Sequence, residues 1–149
     1  MLPPEVRGLL AGEPGDDAWE PIAHLLTTDD DGYPRVCLLS RAELATAGTD
    51  AAGCVVRARH TIANLRRDGQ ALLVVTGEQA AHYIRLRVRT ILGSEDGTGR
   101  AAIAFDVTGA QADALGVPLR PMTFRASSAI RDLEQWDGNR EFLERLGFG

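Results

Sequence analysis

Leu25-Leu26-Thr27-Thr28-Asp29-Asp30-Asp31-Gly32-Tyr33-Pro34, running on into Arg35-Val36-Cys37-Leu38-Leu39-Ser40, is the stretch on which the fold turns. Two strand-like runs, residues 22–28 and 35–40, flank an Asp-Gly pair. Glycine accepts the positive φ of a tight turn, so the pattern predicts a hairpin. The three aspartates do not make an EF-hand, because the alternating oxygen ligands and the closing Glu are lacking.

Outward from the hairpin, residues 53–58, 70–76, 82–92 and 100–108 read as further strands. The run 70–76 is apolar enough to be buried on both faces. In 82–92, Ile84, Leu86 and Val88 alternate with Arg85, Arg87 and Arg89, which predicts one apolar and one basic face. Residues 60–67 read as a helix closed by Asp68-Gly69, since glycine commonly sits just past a helix end. Residues 3–11 read as a short helix with Pro in its first turn. Residues 41–50 read as a helical or loop excursion, 109–121 as irregular, and 122–125 as a short strand. Two C-terminal helices are expected within 127–146, broken at Asp137-Gly138, with Trp136 and Phe148 as packing residues. Six strands joined mostly by tight turns predict a mainly β chain with flanking helices. The expected architecture is a six-stranded antiparallel barrel in a single domain over residues 1–149. The connections are too short for a doubly wound α/β sheet.

Composition narrows the chemistry. The 149 residues are 44% apolar and 25% charged, which suits one folded domain rather than a disordered chain. All 16 basic residues are Arg. Without Lys there is no internal Schiff base and no Walker A lysine. The net charge of −5 disfavours general nucleic-acid binding. The charge is uneven, at −7 over residues 1–50 and +4 over 51–100. A local basic region in an acidic chain suits one small anion such as a phosphate monoester. No apolar run approaches the ~20 residues of a membrane span, and no secretory signal is visible, so the expected compartment is the cytoplasm. Cys37 and Cys54 make neither a disulfide framework nor a four-cysteine zinc site and read as buried thiols. No metal site is expected.

Three pieces together carry a resemblance. They are the hairpin 25–34, the strand Arg35–Ser40, and Arg59-His60-Thr61-Ile62-Ala63-Asn64-Leu65-Arg66-Arg67-Asp68-Gly69 followed by a strand. In order and spacing, residues 22–76 resemble the core of the pyridoxamine 5′-phosphate oxidase-related, FMN-binding split-barrel proteins. The residues fit what FMN requires. Its phosphate needs positive charge and several donors, and Arg59, His60 and Thr61 at a helix start offer a guanidinium, an imidazole, a hydroxyl and free N–H groups. Its ring needs an apolar wall beside backbone groups, which Val36 to Ser40 supply. The resemblance implies that Arg35, Val36, Cys37, Leu38, Leu39 and Ser40 line the flavin. It implies that Arg59, His60 and Thr61 hold the phosphate, and that Asn64 and His82 fall at polar family positions. It also implies a homodimer with flavin at the interface and a small-molecule substrate.

Ser40 stands where the pyridoxamine phosphate oxidases have Lys, and His60-Thr61 stands where they have Arg-Lys. Their arginine-rich C-terminal motif has no match. The expected function is therefore an FMN-binding oxidoreductase other than a true pyridoxamine phosphate oxidase, with no catalytic acid or base singled out. Two alternatives remain open at this point. One is a non-catalytic flavin- or haem-binding store or sensor, with His24, His60 or His82 as an axial haem ligand. The other is a reductase using the deazaflavin F420 on the same fold.

Overall fold

The computed structural model describes residues 1–149. The elements in chain order are α1 (Pro4–Leu10), β1 (Trp19–Pro21), β2 (Ala23–Thr28), β3 (Pro34–Leu39), β4 (Leu44–Ala47), β5 (Ala51–Val56), α2 (Arg59–Asp68), β6 (Gln70–Thr76), β7 (Ala81–Gly93), β8 (Ala101–Asp113), β9 (Thr123–Arg125), α3 (Ser128–Leu133) and α4 (Trp136–Glu144). Seven strands form one antiparallel sheet in the order β3-β2-β6-β7-β8-β5-β4, and β1 pairs with β9 in a separate ribbon. The edge strands β3 and β4 do not pair with each other. Yet Leu39 at the end of β3 and Leu44 at the start of β4 share one core with Leu25, Leu73, Ile84, Ile103 and Phe105. The sheet therefore curls around that core and stays split between its two edges.

Local chemistry explains the elements. Gly32 takes φ +90° in the β2–β3 turn, and the hairpin pairs Thr28 with Pro34 through Ala23 with Leu39. Asp29 locks its mouth by accepting hydrogen bonds from Arg35 Nε at 2.7 Å and Asn64 Nδ2 at 2.8 Å. Those bonds, Arg35 first, hold the Asp29 carboxyl below its ordinary range. Helix α2 ends at Gly69, whose φ of +68° completes the left-handed cap. Leu2, just before α1, and Val6 and Leu10 on it bury against the main core, each adding about 1.5–3 kcal/mol.

Four details differ from the sequence reading. Residues 41–50 contain a strand, β4, which makes seven strands in the main sheet where six were expected, because Leu44 and Ala45 find buried positions beside β5. The strand β8 runs on to Asp113, since its partner β7 is equally long and pairs Ala81 with Asp113. The strand β6 is not buried on both faces. Leu73 and Val75 point into the core, while Leu72 and Val74 lie half-buried on the outer face, which no element covers fully. The C-terminal helices break at Gln135, whose φ of +55° makes the turn, and Asp137-Gly138 lie inside α4. The buried Trp136 and Asn139 anchor α4 from its first turn. No helix is long and apolar enough to cross a membrane.

Candidate functional site at the barrel split

Helix α2 begins without a cap. Ala58 occupies the N-cap position with no side-chain hydrogen bond, and no acidic residue lies in the first turn. The first helical bond runs from Ile62 N to Ala58 O, so the N–H groups of Arg59, His60 and Thr61 lack acceptors within the chain. Such an end carries partial positive charge and favours an anion. Arg59 and His60 are exposed and form no ion pair, and Arg57, two residues upstream, reaches only Gln135 Oε1 at 3.3 Å. Thr61 is 1% exposed, and its hydroxyl, set against the weakly accepting Cys37 thiol, has no oxygen or nitrogen partner. An orphaned buried hydroxyl beside three free N–H groups is a donor set in want of an acceptor.

Strand β3 supplies the second wall. As an edge strand it pairs only with β2, which leaves one row of backbone N–H and C=O groups unpaired. Val36 and Leu38 stand on its outer face, each 52% exposed. Cys37 and Leu39 point the other way. Burial, then the nearby Glu43 charge, pushes the Cys37 thiol up.

Beside β3, the split opens as two adjoining chambers. The smaller, about 100 Å³, is lined by Cys37 and Leu38 of β3, Val55 of β5, Arg57, Arg100 and Asn139 among others. The larger, about 310 Å³, is mostly apolar and lies between Leu38 and Leu39 of β3 and Phe124, Ile130 and Trp136 of the C-terminal segment. Glu43 and Glu134 line both. Glu43 folds back on the turn that follows β3. Its Oε2 accepts from Ser40 N at 2.7 Å and from Ser40 Oγ. Burial is the largest influence on this carboxyl and raises its pKa. The Ser40 bonds oppose that rise, and Glu134 adds to it.

The structure brings together most of the residues singled out in the sequence. Val36, Cys37, Leu38 and Leu39 lie along the split, and Arg59, His60 and Thr61 stand at the helix start. Ser40 is there too, but its N–H and hydroxyl are committed to Glu43. Arg35 faces Asp29 in the hairpin. Asn64 and His82 are not brought to the split. Asn64 is spent joining α2 to the hairpin, donating to Thr27 Oγ1 and Asp29 Oδ1 and accepting from Arg67. His82, 5% exposed, binds Glu5 Oε2 of α1 at 2.7 Å. It pairs with Ala112 on β8, whereas Val56, just before α2, pairs with Ala101. Eleven residues of strand separate them, roughly 36 Å of chain. The three histidines occupy β2, α2 and β7, and no group of three His, Cys, Asp or Glu side chains is placed to hold a metal ion.

The sequence reading missed Glu43, Glu134, Arg100 and Trp136 as site-lining residues. A larger cleft of about 480 Å³ lies on the outer sheet face beside Leu72, Arg85 and Arg87. No orphaned buried polar atom lines it, so the split is the better-defined site.

No protein-family model matches the sequence, and no curated protein does. Solved structures do match in fold. An FMN-binding protein from Syntrophomonas wolfei aligns with a TM-score of 0.56 at 16% identity, over 78% of this chain and 86% of its own. A protein of the pyridoxinephosphate oxidase family from Clostridium acetobutylicum aligns with a TM-score of 0.53 at 14% identity, over 71% and 86%. An F420 reductase aligns with a TM-score of 0.51 at 15% identity, over 61% and 89%. At these identities the likeness establishes architecture. The chain has the split-barrel fold found in flavin-binding proteins.

Proposed function

We propose that this chain is an FMN-binding oxidoreductase acting on a small molecule, and that it is not a pyridoxamine phosphate oxidase. The observation that carries the reading is the uncapped start of α2, with the orphaned Thr61 hydroxyl inside it and the unpaired edge of β3 beside it. Arg59, His60 and Thr61 would hold the phosphate. The side chains and free backbone of Val36 to Leu39 would carry the ring. Bound there, FMN would supply a hydride acceptor and donor. The chain's own task is to neutralise the phosphate charge, fix the ring against β3 and limit water at the split. Ser40, where those oxidases have Lys, is occupied with Glu43, which argues against their substrate chemistry.

The F420 reductase among the fold neighbours makes the deazaflavin the main rival cofactor, so it belongs in the same titration. The resemblance also supports a homodimer. Val36, Leu38 and Tyr33 form an exposed apolar strip along an unpaired strand edge, which a second copy would cover. Titration of the chain with FMN tests the reading. Arg59→Ala should weaken affinity about 10- to 150-fold, the loss expected for a charged hydrogen bond of roughly 1.5–3 kcal/mol. Equal affinity of the variant and the native chain would remove Arg59 from the site.

A further inference from the structure

The larger chamber of the split has a composition of its own. Leu38 and Leu39 form one wall, and Phe124, Ile130 and Trp136 form the other. Trp136 is 6% exposed, and its indole N–H has no partner. The polar exception on the β3 side is the Ser40–Glu43 pair. Ser40 gives both of its donors to Oε2 of Glu43, while Oε1 makes no hydrogen bond within the chain. When the carboxyl is neutral, its proton therefore sits on Oε1, the oxygen left free. Glu43 lines the chamber, so that O–H is available to whatever enters.

We propose that this chamber is the substrate compartment, that it takes small neutral carbonyl compounds with an apolar body of one or two rings, and that Glu43 is the hydrogen-bond donor that selects them. The volume of about 310 Å³ stands at the lower end of small-molecule sites, roughly 300–1,000 Å³, which limits the ligand to that size. The apolar walls favour an uncharged ligand body. A second acidic residue, Glu134, lines the same space, which disfavours carboxylic acids and phosphates. A neutral Glu43 prefers an acceptor, and a carbonyl oxygen is the acceptor an otherwise apolar molecule most simply offers.

The groups around Glu43 favour its neutral form. Glu134 faces it from the end of α3, and Cys37 and Cys54 are its neighbours from β3 and β5. Arg57 and Arg100 line the adjoining smaller chamber, but Arg100 is held by Asp96 and Asn139, and Arg57 points to Gln135. Neither hydrogen-bonds the Glu43 carboxyl.

This assignment rests on the flavin reading for its use as a substrate site, and the test separates the two. Trp19 and Trp136 are the two tryptophans. Trp19 is exposed on β1, so Trp19→Phe leaves the single indole N–H resonance of Trp136, a residue of the chamber wall. The full chain, with and without FMN, is titrated with 1-indanone, with indane as the probe that lacks the oxygen. Indanone should shift the Trp136 resonance saturably. Its affinity should hold steady at low pH and fall as pH rises through the raised Glu43 value, while indane shows no such dependence. Glu43→Gln keeps a donor and should bind indanone at all pH values. Glu43→Ala should lose about three- to tenfold in affinity, the worth of one neutral hydrogen bond. Equal indanone affinity in Glu43→Ala and the native chain, or an unmoved Trp136 resonance, overturns the assignment. If indanone binds and FMN does not, the cofactor reading fails and the compartment stands. If FMN binds and indanone does not, the reverse holds.

Discussion

Thr61 concentrates the tension of the site in one atom. A buried hydroxyl without a partner costs stability, and its retention makes sense where a ligand supplies the acceptor. Thr61→Val keeps the shape and removes the hydroxyl. The folded chain should therefore be as stable as before or more stable by up to about 1 kcal/mol, while FMN affinity falls. Paired urea and FMN titrations check this, and a loss of stability without a loss of affinity would make the hydroxyl merely structural. Glu43 gives a pH signature. Its folded pKa lies above the unfolded value, so the folded state holds a proton that the unfolded chain has already released. Its contribution to stability therefore falls as pH rises from the ordinary carboxylate range through the raised value. Glu43→Gln should flatten that decline in urea midpoints measured from the ordinary carboxylate range upward. Asp29, pushed down by Arg35 and Asn64, acts in the opposite sense and only at lower pH. At this scale the helix start proposed for the phosphate was legible, because Arg59-His60-Thr61 opens a visible helix. Glu43 was illegible there. It reads as one more acid in a turn until a segment some ninety residues later folds over it. Asn64 and His82 look like site residues in sequence but satisfy structural needs elsewhere.

Among the elements, the hairpin β2–β3, the helix α2 and the alternation in β7 were legible because each has a local cause: a turn glycine, a helix-ending glycine, a period of two. The strand β4 and the break between α3 and α4 were not. The strand β4 exists because β5 offers its four residues a partner, and the α3–α4 break falls on Gln135, a residue with no turn preference of note. The C-terminus shows how tertiary contact decides such matters. A Cβ on Gly53 of β5 would lie 2.8 Å from the Phe148 ring, so the strand leaves a slot that the last aromatic fills. Gly53→Ala should expel that ring and destabilise the chain by about 1.5–3 kcal/mol, the worth of burying one phenylalanine. Phe148→Ala in the Gly53→Ala background should then add little, because both changes remove the same contact. Urea unfolding of the two single variants and the double variant checks the cycle, and additive losses would show that Phe148 does not depend on Gly53.

For the whole molecule, a curled sheet that stays split stands beside a helix whose first turn opens at that split. The split leaves an unpaired β3 edge with an exposed apolar strip, and the proposal that a second copy covers it predicts a dimer by sedimentation equilibrium. Leu38→Glu should shift the distribution toward monomer, and an unchanged dimer in that variant would move the interface elsewhere. The architecture was legible from strand spacing and turn length, whereas the closeness of the C-terminal helices to the split came from long-range packing. The most direct test of the central claim is an FMN titration followed by backbone amide resonances. Saturable shifts are expected, concentrated at Arg59, His60 and Thr61 and along Val36 to Ser40. Shifts centred instead on Arg85 and Arg87 of the outer sheet face, or none at all, would contradict it.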